Sequence, residues 1–318
     1  MIEAALTPEQ RLDEILSLWS AWCAERPEVV RPLLGGLTNK TYLIKSCGQH
    51  LVLRINALHS KALGLDRPAE VVVLKAAAHV GITPKIIYSD PAYRYMVTEF
   101  VVAAPWPPHY SNADTGLDKL AGLLRAIHGL EVAAPTLDNE LKAERYWQAI
   151  DCGGVVPKQL LALSAKLNSA MQAAKAMNKS PCLCHNDLLP ANLLLTAADH
   201  LYAIDWEYAA LGDAYFDLAA VIEGHGLEGD SLQGDVLQRS GLEQDSLGGS
   251  SIEKLMLAYH HDNIESIDRR RLQLARVSFC YLDLLWYCAQ STLQATQGYN
   301  GLMDKKLSRL KRLLAIVV

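Results

Sequence analysis

The sequence predicts an α+β chain of two lobes: a small N-terminal lobe with an antiparallel sheet, and a larger, mainly helical C-terminal lobe. Strand-like runs gather before residue 103, and apolar residues at helical spacing dominate after it. Between them, Pro105, Pro107 and Pro108 break the chain, so the lobes are set at 1–103 and 104–318. A length of 318 residues suits two joined lobes at ~100–200 residues per domain.

Residues 1–26 read as a helix, with Ile15, Leu18, Trp19 and Trp22 on one stripe and Pro27 and Pro32 closing it. Thr41–Lys45 and Leu51–Ile55 flank the turn Ser46-Cys47-Gly48-Gln49 as a β-hairpin. A helix starts near Pro68, carries Glu70 and ends near Gly81. Lys85–Tyr88 and Tyr93–Val101 add two strands around Asp90-Pro91. In the second lobe, Leu117, Leu120, Leu124 and Ile127 mark a helix that runs to Gly129. Further helices are expected near 157–178, 252–261, 268–296 and 302–316, with one strand-rich exception at 193–208. The glycine-rich stretch 224–250 reads as a loop or a poorly formed helix.

Half of the residues are hydrophobic, enough for a sizeable core. The formal charge of −5 disfavours a nucleic-acid partner, which favours a basic footprint. No apolar run reaches ~20 residues, so no membrane span is expected. The acidic start MIEAALTPEQ does not resemble a signal peptide, and with seven cysteines the expected compartment is the reducing cytoplasm. Cys182, Cys184 and His185 lie close together, but no second cysteine pair follows at zinc-site spacing. Buried free thiols are the better reading.

The chemistry is concentrated in His185-Asn186-Asp187-Leu188-Leu189-Pro190-Ala191-Asn192 and the residues after it. Leu193–Leu195 and Leu201–Ile204 around a polar turn form a hairpin that brings Asn192 beside Asp205. Asn192 and Asp205 offer hard oxygen ligands for Mg²⁺, and Asp187 is placed to take a proton from a hydroxyl. Phosphoryl transfer asks for that set, because positioning and charge neutralisation are most of its catalysis. His185 is expected at the catalytic loop, fixing its shape through backbone hydrogen bonds rather than reacting. A role in capping turns remains the bland alternative for either motif alone.

HNDLLPANLLL followed by AIDWEYAALGDAYFDLA resembles the catalytic and metal-binding motifs of the aminoglycoside phosphotransferase and choline kinase superfamily. The resemblance covers roughly residues 30–300. It implies a protein-kinase-like fold, ATP and Mg²⁺ as cofactors, Asp187 as base, and Asn192 and Asp205 as metal ligands. Glu207 would either reach the metal through water or shape the substrate side, and Asp217 would brace the loop. Gly35-Gly36-Leu37-Thr38-Asn39 resembles the family's short phosphate loop, with Gly36, Thr38 and Asn39 on the nucleotide. Alternation puts Val52 and Arg54 on one strand face. Arg54 then holds phosphates and Glu70 holds Arg54, where protein kinases use lysine and glutamate. At Glu99 and Val101, backbone groups are placed to read the adenine edge.

The acceptor is less sharply defined. The run Phe279–Trp286 is similar to the choline kinase segment that supplies a tryptophan wall, which implicates Trp286, with Tyr281 and Tyr287 nearby. Glu207 and Glu223 would add negative charge for a cationic alcohol such as choline, ethanolamine or thiamine, and Asp283 is a further candidate. An aminoglycoside-type or other metabolite phosphotransferase is the alternative, as is a nucleotide-binding pseudokinase. The sequence leaves the oligomeric state open.

Overall fold

The computed structural model describes residues 7–33, 39–57, 64–150, 155–227, 250–261, 263–293 and 300–317. The expected phosphate-loop residues Gly36 and Thr38, and most of the glycine-rich stretch 224–250, lie outside them.

The first helix, α1 (Pro8–Ser17), opens on a capping box between Thr7 and Gln10. It is shorter than the helix expected over 1–26: the chain tightens into a 3₁₀ turn at Trp19–Ala21 and then enters a strand the sequence reading missed. That strand, β1 (Glu28–Leu33), is followed by β2 (Lys40–Ser46), β3 (Gln49–Ile55), α2 (Arg67–His79), β4 (Ile86–Ser89) and β5 (Tyr95–Glu99). The sheet order is β1-β2-β3-β5-β4, all antiparallel. Pro32 is tolerated because β1 is an edge strand.

Alternation along β3 divides the sheet into two faces. Leu51, Leu53 and Ile55 turn outward and are covered by Ile15 and Leu16 of α1, so the N-terminal helix packs on the small sheet. Val52 and Arg54 turn the other way, into a cleft.

A short strand, β6 (Ala103–Pro105), leads into α3 (Asp114–His128), α4 (Asn139–Ala149) and α5 (Val155–Met177). Then come β7 (Cys182–Cys184), β8 (Leu193–Thr196), β9 (Leu201–Ala203), β10 (Ala210–Gly212) and α6 (Ala214–His225). The chain closes with α7 (Ser251–His260), α8 (Ser266–Leu293) and α9 (Asn300–Val317). The expected hairpin forms, with Leu193 opposite Ala203, and β6 adds a third strand beside β8. Thus the proline-rich segment pairs with this hairpin. The sequence reading missed α4 and α6. Among the described residues no helix is long and apolar enough to cross a membrane.

Two glycines of α3 test this packing. A Cβ at Gly116 would lie 2.0 Å from the Tyr110 carbonyl oxygen, whereas one at Gly122 meets nothing within 4 Å. Gly116→Ala is expected to destabilise the fold by about 1–3 kcal/mol through overpacking. Gly122→Ala is expected to stabilise it by up to about 1 kcal/mol through helix propensity. Urea unfolding of the two variants beside the parent checks both, and equal midpoints would contradict the packing described.

Candidate active site

The segment from His185 to Asn192 takes its shape from one carboxylate. Asp217 of α6 is fully buried and accepts from the His185 amide at 2.7 Å and the Asn186 amide at 2.6 Å. His128 of α3 approaches the same carboxylate, 3.3 Å from Oδ2. Asn186 sits at a φ of 65°, a left-handed conformation asparagine tolerates, and its Nδ2 donates to the Tyr208 carbonyl at 2.9 Å. The chain thereby turns so that the next residue, Asp187, lines the cleft.

His185 does not face that cleft. It is fully enclosed, its Nε2 lies 3.1 Å from the Ile204 carbonyl, and its ring rests against Trp206. Burial pulls its pKa to about 4, so it is neutral. His185 thus makes the backbone hydrogen bond expected of it, tying the loop to the hairpin end, and does not line the cleft.

Asn192 Nδ2 donates to Asp187 Oδ2 and to the Asp187 carbonyl, both at 2.8 Å, which fixes the Asp187 side chain. The Ile204 amide donates to the Asn192 carbonyl, and the hairpin brings Asp205 into the same cleft. Asp205 also sits in the left-handed region, at φ 63°. Burial, then Asp205 and Glu207, push the Asp187 carboxyl well above the usual carboxylate range. Burial and then Glu207 push Asp205 up to about 7, against the pull of Arg54.

Arg54 on β3 meets Glu70 of α2 at 2.6 Å and Asp205 at 3.2 Å, so the expected Arg54–Glu70 pair is present. Sequence reasoning missed its second half. Arg67 donates to Glu70 and Glu207, both at 2.9 Å, and to Asn39 Oδ1 at 3.0 Å. Asn39 Nδ2 in turn donates to Glu207 at 2.7 Å. Asn39 and Glu207 both line the cleft, but their side chains are engaged with each other and with Arg67. Burial alone would raise Glu70; Arg54 and Arg67 outweigh it and hold Glu70 below its usual range. Two guanidiniums thus face Glu70, Asp205 and Glu207, with Asp187 beside them. This negative excess of oxygen donors, including the Asn192 side-chain oxygen, fits a hard divalent cation.

The cleft encloses about 820 Å³. Val52, Arg54, Thr98, Glu99 and Val101 line its sheet side. Tyr146 of α4, Tyr208, Trp286 and Tyr287 of α8 form an aromatic part of its lining, with Lys142 of α4 among them. Trp286 Nε1 donates to the Tyr208 hydroxyl at 2.9 Å. Tyr281 belongs to the core: it is 2% exposed and its hydroxyl accepts from Trp147. Asp283 reaches the cleft but pairs with Lys306 of α9.

Glu223 is a correction. It does not line the cleft; it binds Arg276 of α8 at 2.6 Å and Arg309 of α9 at 2.8 Å, tying α6 to both helices. A carboxylate held by two guanidiniums has no charge left to offer an acceptor. The expected proximity of Cys182 and Cys184 is real, with their Sγ atoms 4.0 Å apart, but their third neighbour is His128 rather than His185. Both His128 nitrogens already have partners, Tyr259 and Asp217.

A model of the phosphotransferase enzyme family matches residues 29–248. The protein LicA of Haemophilus influenzae is 27% identical over 194 residues, 60% of this chain and 56% of that protein, so the match spans little more than half of its length. Among solved structures, a LicA complex with AMP superposes with a TM-score of 0.76 at 20% identity, covering 96% of this chain and 98% of the other. The choline kinase LicA from Streptococcus pneumoniae gives 0.72 at 19% identity, over 95% and 98%. The likeness of these structures confirms the kinase-like fold that the motifs predicted. Fold, family match and the convergence of the motif residues in one cleft agree: the chain belongs to the phosphotransferase enzyme family.

Proposed function

We propose that this enzyme transfers the γ-phosphate of ATP to the hydroxyl of a small-molecule alcohol, and that the alcohol is cationic, of the choline, ethanolamine or thiamine type. The observation that carries this reading is the convergence of Asp187, Asn192 and Asp205 in one cleft with the Arg54–Glu70 pair. Residues 1–103 serve the nucleotide and residues 104–318 the catalysis and the acceptor.

Arg54 is placed to hold phosphates, with the backbone at Glu99 to Val101 beside the adenine. A neighbour of the same fold binds AMP, which supports a nucleotide in this cleft. Asn192 and Asp205 would hold Mg²⁺, which supplies charge neutralisation for the transferred phosphoryl group. Asp187 accepts the proton of the attacking hydroxyl. Its raised pKa gives it the basicity that task needs, and Asn192 keeps it aimed.

The aromatic end formed by Tyr146, Tyr208, Trp286 and Tyr287 suits a cationic head group. A similar solved structure is a choline kinase. A polycationic acceptor finds less support, because Glu223 is spent on two arginines. The free thiols Cys182, Cys184, Cys280 and Cys288 suit a cytoplasmic setting, where ATP is abundant.

Asp187→Asn keeps the shape and the bond from Asn192 while removing the base. Turnover is expected to fall by about 10²–10⁴-fold with Mg-ATP affinity retained. ADP release over a panel of cationic alcohols, with calorimetry for ATP, measures both, and near-parental turnover would reject the base. Trp286→Ala is expected to raise the acceptor KM by about tenfold, the scale of a desolvated cation–π contact, and to leave the KM for ATP unchanged. An unaltered acceptor KM would return Trp286 to a packing role.

A further inference from the structure

The aromatic end of the cleft already holds a cation. Lys142 reaches into it from α4, and its ammonium lies 4.4 Å from the Tyr208 ring centroid and 5.9 Å from that of Tyr146. Tyr208 is held in place by Trp286, so these rings form one box. Asp187 and Glu207 act on Lys142 through space, without an ion pair to it among the described residues. The other charged group at this end, Asp283, is committed to Lys306.

We infer that Lys142 is a built-in occupant of the acceptor's cation site, which a cationic acceptor must displace, and that it thereby sets which ammonium groups the enzyme admits. The inference rests on the cationic-acceptor reading above. Two ammonium groups repel strongly when pressed into one site of low dielectric. Lysine has a flexible stem that lets it withdraw, and burial draws its pKa down to about 8 against Asp187 and Glu207, so its charge can also be shed. A strongly hydrated primary ammonium is moreover a poorer permanent guest than a quaternary one, whose methyl groups are already apolar. Lys142, too, was hidden from the sequence reading, because the helix that carries it was missed.

The test uses the full chain and tetramethylammonium, a cation with no hydroxyl to phosphorylate. Calorimetry compares the parent, Lys142→Met and Lys142→Arg at about pH 7 and about pH 9. A site competent only when Lys142 is neutral gives the parent about tenfold tighter binding at the higher pH. Lys142→Met is expected to bind about tenfold tighter than the parent at the lower pH and to show a smaller pH step, the one left to Asp187 and Asp205. Lys142→Arg, which preserves charge and bulk, is expected to bind weakly at both pH values, because guanidinium does not titrate there. Equal or weaker binding by Lys142→Met at the lower pH overturns the inference, as does a pH step in Lys142→Met as large as the parent's or absence of binding in all three proteins. Failure of the function proposal looks different. If no cationic alcohol supports ADP release while tetramethylammonium shows the expected pattern, the acceptor assignment falls and the occupancy by Lys142 stands.

Discussion

Arg54 and Arg67 carry two permanent positive charges into the interior, where the small sheet, α2 and the catalytic hairpin meet. A buried guanidinium without counter-charge is costly, and removing one partner of such a pair costs about 3–5 kcal/mol. The carboxylates that satisfy them come from different elements: Glu70 from α2, Asp205 and Glu207 from the segment after β9. Asn39, just before β2, closes the ring by donating to Glu207 and accepting from Arg67. These contacts exist together only when the hairpin lies beneath the sheet with residue 205 below Arg54. The network therefore fixes how the sheet sits over the hairpin, and with it the cleft between them. Hydrophobic burial drives each layer to collapse, but being non-directional it could not choose this alignment.

A second constraint acts on the catalytic loop itself. Two consecutive amides point at Asp217, and a fully buried acceptor aims them with little freedom. His185 then reaches Ile204 on the neighbouring hairpin end, and Asn192 grips both the carboxylate and the carbonyl of Asp187. Asp187 is thus held from before and after, which is the preorganisation that the proposed role of base requires. The two left-handed residues, Asn186 and Asp205, lie beside these groups, so backbone strain is concentrated where the function is proposed.

Much of this was legible in the sequence because it is local. Proline and glycine punctuation gave the turns, alternation gave the facing of Arg54, and the hairpin brought Asn192 and Asp205 together. What escaped is set by distant contacts. Of α4, only Ala143 and Tyr146 are buried, so its polar sequence carries a weak helical period. α6 has the opposite character: Tyr215 to Ile222 are all buried, and a helix apolar all round shows no stripe. Arg67 reads as an ordinary first-turn residue until Glu207, 140 positions away, is placed beside it. Glu223 looked available for the same reason, since Arg276 and Arg309 lie 53 and 86 positions further on.

The charge balance of the cleft links these observations to chemistry. Because Asp205, Glu207 and Asp187 outweigh the guanidiniums next to them, burial and mutual repulsion lift Asp187 and Asp205 above ordinary carboxylates. A cleft made only for stability would have neutralised them, as Glu223 is neutralised between α8 and α9. The unbalanced charge is instead a reserve of attraction for cations, and the proposed reaction brings cations to both ends of the cleft. At the phosphate end they offset the charge of the nucleotide; at the aromatic end the rings favour an ammonium group. Lys142 sits between these demands, close enough to feel Asp187 and Glu207 yet seated on Tyr208. Its position follows from the same imbalance, since a negative pocket with an empty aromatic face would draw in the nearest mobile cation, and the nearest one belongs to the chain itself.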